Sequence, residues 1–218
     1  MNLQILKTKD GSSTLFSDTY NENYHSTSGA VSESLHVFIN AGLKALNNKN
    51  IRIFEVGFGT GLNAFLTNLE VKKSDIIIDY TAIELYPPEN YIIQELSKAS
   101  PFSSEVSMFL SLHKPIWNQR LEVCDKFYLT KTNDNILNAS IGDSFDLVYF
   151  DAFSPEVQPE LWSEEMFKKM FDAMSKGAAL TTYCAKGSVR RTMQKVGFTV
   201  ERLPGLPPKR EMLRAGKR

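Results

Sequence analysis

The sequence predicts an α/β protein with a doubly wound, mostly parallel sheet. From residue 51 onward, strand-length apolar runs alternate with segments of helical period, the pattern that lays helices on both faces of a parallel sheet. Gly57, Gly59 and Gly61 sit between one such run and a helix start, where positive φ and free N–H groups can hold a ligand. Two late apolar runs flank Leu203-Pro-Gly-Leu-Pro-Pro208 and add one antiparallel strand near the C-terminus.

The elements follow in order. The chain is polar to about Gly29, and an amphipathic helix is expected over 32–46, with Leu35, Phe38, Ile39, Leu43 and Leu46 on its apolar face. Residues 51–54 form the first sheet strand and 62–69 the helix behind the glycine turn. A second strand spans 76–83 and ends at Glu84; a helix follows over about 88–98. Residues 101–122 read as a helical insertion, and 127–130 as a third short strand closed by Asp134. The run 145–150 is a buried strand ending at Asp151. Behind it lies a helix over 163–174, with Ser163 as N-cap and Gly177 as stop. A strand at 178–183, a helix at 188–196 and the pair 198–202 and 209–213 complete the order. No repeat or linker divides the chain. Residues 1–218 are expected to form a single domain, with an N-terminal extension over about 1–48 and the insertion at about 101–122.

Composition narrows the function classes. At 218 residues and 42% hydrophobic, the chain supports one sizeable core. Cys124 and Cys184 have neither CxxC nor Cys/His ligand spacing, so no disulfide framework and no metal site is expected. No apolar run reaches signal-peptide or membrane-span length, and a cytoplasmic location is expected. The net charge of zero hides an asymmetry: residues 186–218 carry ten Lys and Arg against Glu201 and Glu211, net +8, which leaves −8 on the rest. That is the footprint of a surface for a polyanion, nucleic acid above all; a solvated helix face with a basic terminus is the other reading.

Ligands of an open α/β sheet sit outside the carboxyl ends of its strands, where Glu55, Glu84, Asp134 and Asp151 all fall. Glu84 comes 23 residues after Gly61, close to the ~20-residue offset at which an acid accepts from ribose hydroxyls. Asp134 can accept from an adenine amino group or cap a helix over 135–140. A dinucleotide fingerprint requires glycine at position 62, where Leu62 stands, which weakens a nicotinamide or flavin reading. Asp151 ends an apolar strand and is followed by Phe153. An acid beside an aromatic wall can hold an amine N–H, aim the nitrogen lone pair for in-line displacement and exclude water. His25, His36 and His113 lack metal-protease spacing; His36 is expected to pack or cap, and His113 to lie at the surface.

An acid two residues before three alternate glycines resembles motif I of class I S-adenosylmethionine-dependent methyltransferases, a Rossmann-like fold on a seven-stranded sheet. Asp151-Ala-Phe-Ser-Pro155 resembles, in position, the Asp/Asn-Pro-Pro-aromatic loop of amino methyltransferases. Six ordered segments extend the likeness: 24–30, 33–39, 55–63, 151–155, 159–162 and 209–212. Together they resemble the MnmD type of tRNA methyltransferase, the stand-alone counterpart of the methyltransferase half of bifunctional MnmC.

The resemblance implies S-adenosyl-L-methionine-dependent N-methylation of the 5-aminomethyl group of the wobble uridine (U34) of tRNA, giving 5-methylaminomethyl-(2-thio)uridine. Glu55, Gly57, Gly59, Gly61 and Glu84 would then hold the cofactor, with Asp134 at the adenine. Asp151 and Phe153 would be the catalytic pair facing the aminomethyl-uridine, and Tyr24 and Glu33 would close over the pocket. Arg190, Arg191, Lys209 and Arg210 would meet phosphates around the tRNA anticodon loop. Bifunctional members add a flavin oxidase domain; without a second glycine fingerprint, no oxidase activity is expected here. Three other readings stay open: an N-methyltransferase of a small amine, a nucleic-acid-binding module without catalysis, and a nicotinamide oxidoreductase.

Overall fold

The computed structural model describes residues 2–114 and 116–218; Met1 of the expected extension and Pro115 of the expected insertion lie outside the described residues. The polar N-terminal stretch is ordered. Strands β1 (Leu3–Lys7), β2 (Ser13–Ser17) and β3 (Glu22–Asn23) form a small antiparallel sheet in that order. Asp10 ties it to the helix that follows. Its Oδ1 accepts from Thr8 Oγ1 at 2.6 Å and Ser12 N at 3.0 Å, and its Oδ2 accepts from Ser32 N at 3.0 Å. Partial burial opposes the charge, but bonds from Ser12, Thr8 and Ser32 outweigh it and hold the carboxyl well below its ordinary range.

The helix expected over 32–46 is in fact three pieces: α1 (Ala30–Ser34), a π-helical stretch (Leu35–Asn40) and a 3-10 turn (Leu43–Ala45). The wider π turn buries Val37, Phe38 and Ile39 together, a broader apolar face than three consecutive residues present in an α-helix.

The main sheet comprises β4 (Asn50–Val56), β5 (Ile77–Ile83), β6 (Arg120–Cys124), β7 (Phe127–Thr132), β8 (Phe145–Phe150), β9 (Met174–Thr182), β10 (Thr199–Pro204) and β11 (Glu211–Gly216). Its order is β10-β11-β9-β8-β4-β5-β7-β6. Strands β9, β8, β4, β5 and β7 are parallel, and β11 runs antiparallel between β9 and β10. The eighth strand, one more than the resemblance implies, is β6. It comes from the end of the expected helical insertion and pairs antiparallel with β7 across a tight turn in which Lys126 takes φ 61°. Only the earlier part of that insertion is helical.

Among the described residues five helices flank the sheet: α2 (Leu62–Val71), α3 (Asn90–Ser97), α4 (Val106–His113), α5 (Glu164–Ala173) and α6 (Gly187–Val196). Side chains alternate across each strand. Ile51, Ile53, Leu147 and Tyr149 face the layer holding Phe65 of α2 and Phe109 of α4; Phe54, Val56, Val148 and Phe150 face Phe167 of α5 and Met193 of α6. Ser163 caps α5 by accepting from Met166 N at 3.2 Å. Gly177 does not stop that helix: α5 ends at Ala173, and Gly177, at φ 82°, lies inside β9 where the pairing with β8 shifts register. No helix among the described residues is long and apolar enough to cross a membrane.

Candidate active site

Chain order along the sheet reverses between β4 and β8, and the crevice at their carboxyl ends is where a ligand fits. Glu55 and Val56 pair with Tyr149 and Phe150, so the glycine turn and Asp151 emerge side by side, with Asp151 N donating to Val56 O at 3.1 Å. On the other flank, Gly57 N donates to Ile83 O at 3.0 Å. Gly57, Gly59 and Gly61 have φ of 86°, 49° and 74°, values that favour glycine.

Strand parity decides what the acids meet. Glu55 and Asp151 share the face of Ile53 and Tyr149, beneath the first turn of α2. Asn63 Nδ2 bridges them, donating to Glu55 Oε1 at 2.9 Å and to Asp151 Oδ2 at 2.8 Å. Glu55 is fully buried. Burial pushes its carboxyl well above the ordinary range despite the Asn63 bond. Asp151 is pushed up to about 7, first by burial, with the Asn63 bond opposing. Of the two acids, Asp151 is the one on the cavity lining and poised to exchange a proton.

That cavity has a volume of about 520 Å³. Tyr183 OH donates to Ala152 O at 2.9 Å, Trp162 Nε1 to Phe153 O at 2.8 Å, and Ser154 Oγ to Glu22 Oε2 at 3.0 Å. These three bonds fix the loop after β8. The Phe153 ring lies 4.9 Å from that of Tyr20 and 5.1 Å from that of Tyr24, giving an aromatic wall beside Asp151.

The expected site residues fall in three groups. Glu84, Asp134, Asp151, Phe153, Tyr24, Glu33, Gly57 and Gly59 line one cavity. Glu55 and Gly61 lie behind that lining. Arg190, Arg191 and Arg210 stand outside it, on elements at the same carboxyl end of the sheet; Lys209 lines the cavity, with Nζ 2.5 Å from Glu33 Oε1 and 4.1 Å from the Tyr183 ring centre. No helix forms over 135–140; Asp134 instead precedes a turn in which Asn138 N donates to Asn135 O at 3.0 Å. His113 is not a surface residue. Its Nε2 donates to Thr60 O at 3.2 Å under the glycine turn, while His36 donates to Pro204 O at 2.7 Å. Asn63, Tyr20, Glu22 and Tyr183 went unnoticed in the sequence. Asn63 alone carried a signal there: a polar residue within the apolar start of the helix after the glycines.

The pocket fits an adenosyl sulfonium. The Glu84 carboxylate accepts from Gly59 N and Tyr86 N, both at 2.9 Å, and is presented into the cavity at the end of β5. A Cβ on Gly59 would come within 3.0 Å of the Tyr24 ring, so the turn leaves no room for a side chain. No group of three or more His, Cys, Asp or Glu that could hold a metal exists among the described residues.

A glycine turn, a strand-end acid beyond it and a second strand-end acid against aromatic rings, all on this sheet order, define a methyltransferase that uses S-adenosyl-L-methionine. A family model described as S-adenosyl-L-methionine-dependent methyltransferase matches residues 110–218, and the chain belongs to that family. It is 31% identical over 211 residues to the tRNA 5-methylaminomethyl-2-thiouridine biosynthesis bifunctional protein MnmC of Leptospira borgpetersenii serovar Hardjo-bovis (strain JB197), covering 90% of this chain and 32% of that protein. The chain thus spans about a third of the length of the curated relatives it matches. The crystal structure of MNMC2 from Aquifex aeolicus superposes with a TM-score of 0.80 at 27% identity, over 99% of this chain and 70% of that one. Spermidine synthase from Thermotoga maritima shares the fold, with a TM-score of 0.58 at 14% identity over 98% and 68% of the two chains. The likeness to the MnmC methyltransferase part, read from six motifs, is borne out.

Glu84→Gln should weaken S-adenosyl-L-methionine binding about tenfold, because one carboxylate acceptor becomes an N–H donor facing Gly59 N or Tyr86 N. Titration calorimetry checks this; an unchanged dissociation constant removes Glu84 from the cofactor site.

Proposed function

We propose that the protein methylates the exocyclic amine of 5-aminomethyluridine, or its 2-thio form, at the wobble position of tRNA. One observation carries the reading: an acid poised near pH 7, Asp151, shares one aromatic-walled cavity with the glycine turn. The names of the MnmC relatives support the choice of substrate.

When bound, S-adenosyl-L-methionine supplies an electrophilic methyl group. Glu22, Glu33, Glu84, Glu160 and Asp151 line the cavity, and Lys209 is the one Lys or Arg among the described lining residues. This acidic lining draws the substrate in as an ammonium ion. The Asp151 carboxylate takes one ammonium proton and keeps a hydrogen bond to the amine, aiming the freed lone pair. Asn63 fixes the carboxylate through Oδ2, which leaves Oδ1 for the amine. Tyr20, Tyr24 and Phe153 wall off water and offer ring faces to the uracil.

Among the ten basic residues of 186–218, Lys186, Lys195, Arg202, Lys209 and Arg214 have carboxylate partners, and Lys217 donates to the carbonyls of Phe171 and Met174. Arg190, Arg191, Arg210 and Arg218 have no ion-pair partner among the described residues; Arg218 follows β11, which runs away from the carboxyl end of the sheet, so the first three are the ones placed for phosphates. Three such contacts predict a slope of about −2 for log K against log salt on single-stranded anticodon-loop RNA. Filter binding of the triple alanine variant should flatten that slope.

The decisive experiment is transfer of labelled methyl from S-adenosyl-L-methionine to tRNA from cells blocked at the aminomethyl stage, read by nucleoside mass spectrometry. One added methyl at 5-aminomethyl-(2-thio)uridine is expected. Transfer to free amines but not to tRNA would move the protein to the small-amine class.

A further inference from the structure

Glu33 and Lys209 lie 176 residues apart in sequence and meet at 2.5 Å on the wall of the cavity that holds Asp151. Glu33 comes from α1 and Lys209 from the β10–β11 connection, so the pair joins the N-terminal arm to the sheet edge across the pocket. Both are anchored. Glu33 Oε2 accepts from Ser26 N at 3.2 Å, and Lys209 Nζ lies 4.1 Å above the Tyr183 ring, whose hydroxyl holds the Ala152 carbonyl next to Asp151. The Glu33 end of the pair is largely buried, its side chain 16% exposed, while the Lys209 side chain, 38% exposed, reaches in from the rim.

We propose that Glu33 and Lys209 act as a positioning pair for the methyl-transfer acid, Glu33 favouring protonated Asp151 and Lys209 favouring its carboxylate. The inference rests on Asp151 being the acceptor for the substrate amine. An unpaired Glu33 would bias Asp151 towards its protonated form, whereas an unpaired Lys209 would repel the incoming ammonium. Held together, they leave Asp151 free to take and return one proton. The fields of the two side chains at Asp151 have these opposite signs. The other groups facing Asp151 are fixed or neutral: Glu55 on β4 is buried, Asn63 on α2 carries no charge, and Tyr80 of β5 and Tyr183 beyond β9 are both pushed well above their ordinary range by burial. Glu22, on β3, is engaged by Ser154 Oγ.

The test is a carbon-13 carboxyl titration of aspartate-labelled full-length protein, without tRNA or cofactor. Lys209→Met should raise the Asp151 midpoint by about half a pH unit, and Glu33→Gln should lower it by a similar amount. The double variant should return towards the parent, and Lys209→Arg, which keeps the charge, should match it. Shifts in the same direction, or none in either single variant, would overturn the pair's role. If Lys209→Met does not fold, a Glu33→Gln midpoint that stays put or rises overturns it equally. Methyl transfer to aminomethyl-tRNA is measured in parallel. Opposed midpoint shifts without transfer would retire the reaction and keep the pair; transfer without shifts would do the reverse.

Discussion

Asp151→Asn is expected to lower kcat by about 10²–10⁴, the range for a lost proton acceptor, while the S-adenosyl-L-methionine dissociation constant stays within about twofold. The amide keeps the shape of the side chain and can still meet Asn63 Nδ2 through its oxygen, but it cannot take a proton from an ammonium ion. In the parent, kcat/KM should rise with pH through about 7 as Asp151 ionises. In the variant that limb should disappear. The same substitution has a signed effect on stability. The folded-state value of about 7 exceeds the ordinary 3.8, so between these pH values the native state binds more protons than the unfolded chain. The contribution of Asp151 to stability is therefore full below 3.8 and is lost as pH rises to about 7. Asparagine escapes that loss, so the variant should melt higher than the parent at pH 8, by about 2–8 °C for ~1–2 kcal/mol, and no higher at pH 4. Stopped methyl transfer with cofactor titration and two melts decide the matter. Equal loss of turnover and cofactor affinity would remove Asp151 from the chemistry.

What the sequence made legible was whatever is local in it. The strands at 51–54, 127–130 and 145–150 are apolar runs bounded by turns, and each is found within an observed strand. The glycine turn and the acids after β4, β5 and β8 could be placed because ligands of this sheet type gather at strand ends. What escaped depends on contacts between distant residues. The polar stretch before Gly29 folds because Asp10 reaches Ser32, 22 positions away. β6 exists because Arg120, Leu121 and Glu122 find partners on β7. Lys209 was assigned from the basic segment and the likeness over 209–212, and only the fold brings it to Glu33. Asn63 touches Asp151 across 88 residues of sequence, a contact no spacing rule contains.

Gly57→Ala should disable the protein through geometry rather than chemistry. A Cβ at position 57 would stand 2.8 Å from the Asp151 carbonyl oxygen, and backbone cannot swing aside as a side chain can. Gly57 also has φ 86°, which costs an alanine roughly 1–2 kcal/mol. Relief requires parting the end of β4 from β8, where Asp151 N bonds Val56 O, or from β5, where Gly57 N bonds Ile83 O. Either movement shifts the catalytic acid and the cofactor turn together. The expected cost is about 2–4 kcal/mol, or roughly 5–15 °C in Tm, and a displacement of ~1 Å is enough for a hundredfold loss of methyl transfer. Gly177→Ala separates the two causes. Its φ is 82°, nearly the same, but a Cβ there meets nothing within 4 Å. It should carry only the backbone strain and leave methyl transfer intact. If the two variants melt alike and retain equal turnover, the close approach at Gly57 has no consequence. If Gly57→Ala alone loses turnover, the separation of β4 from β8 at their carboxyl ends is set by the absence of one methyl group, and Asp151 is aimed by that separation.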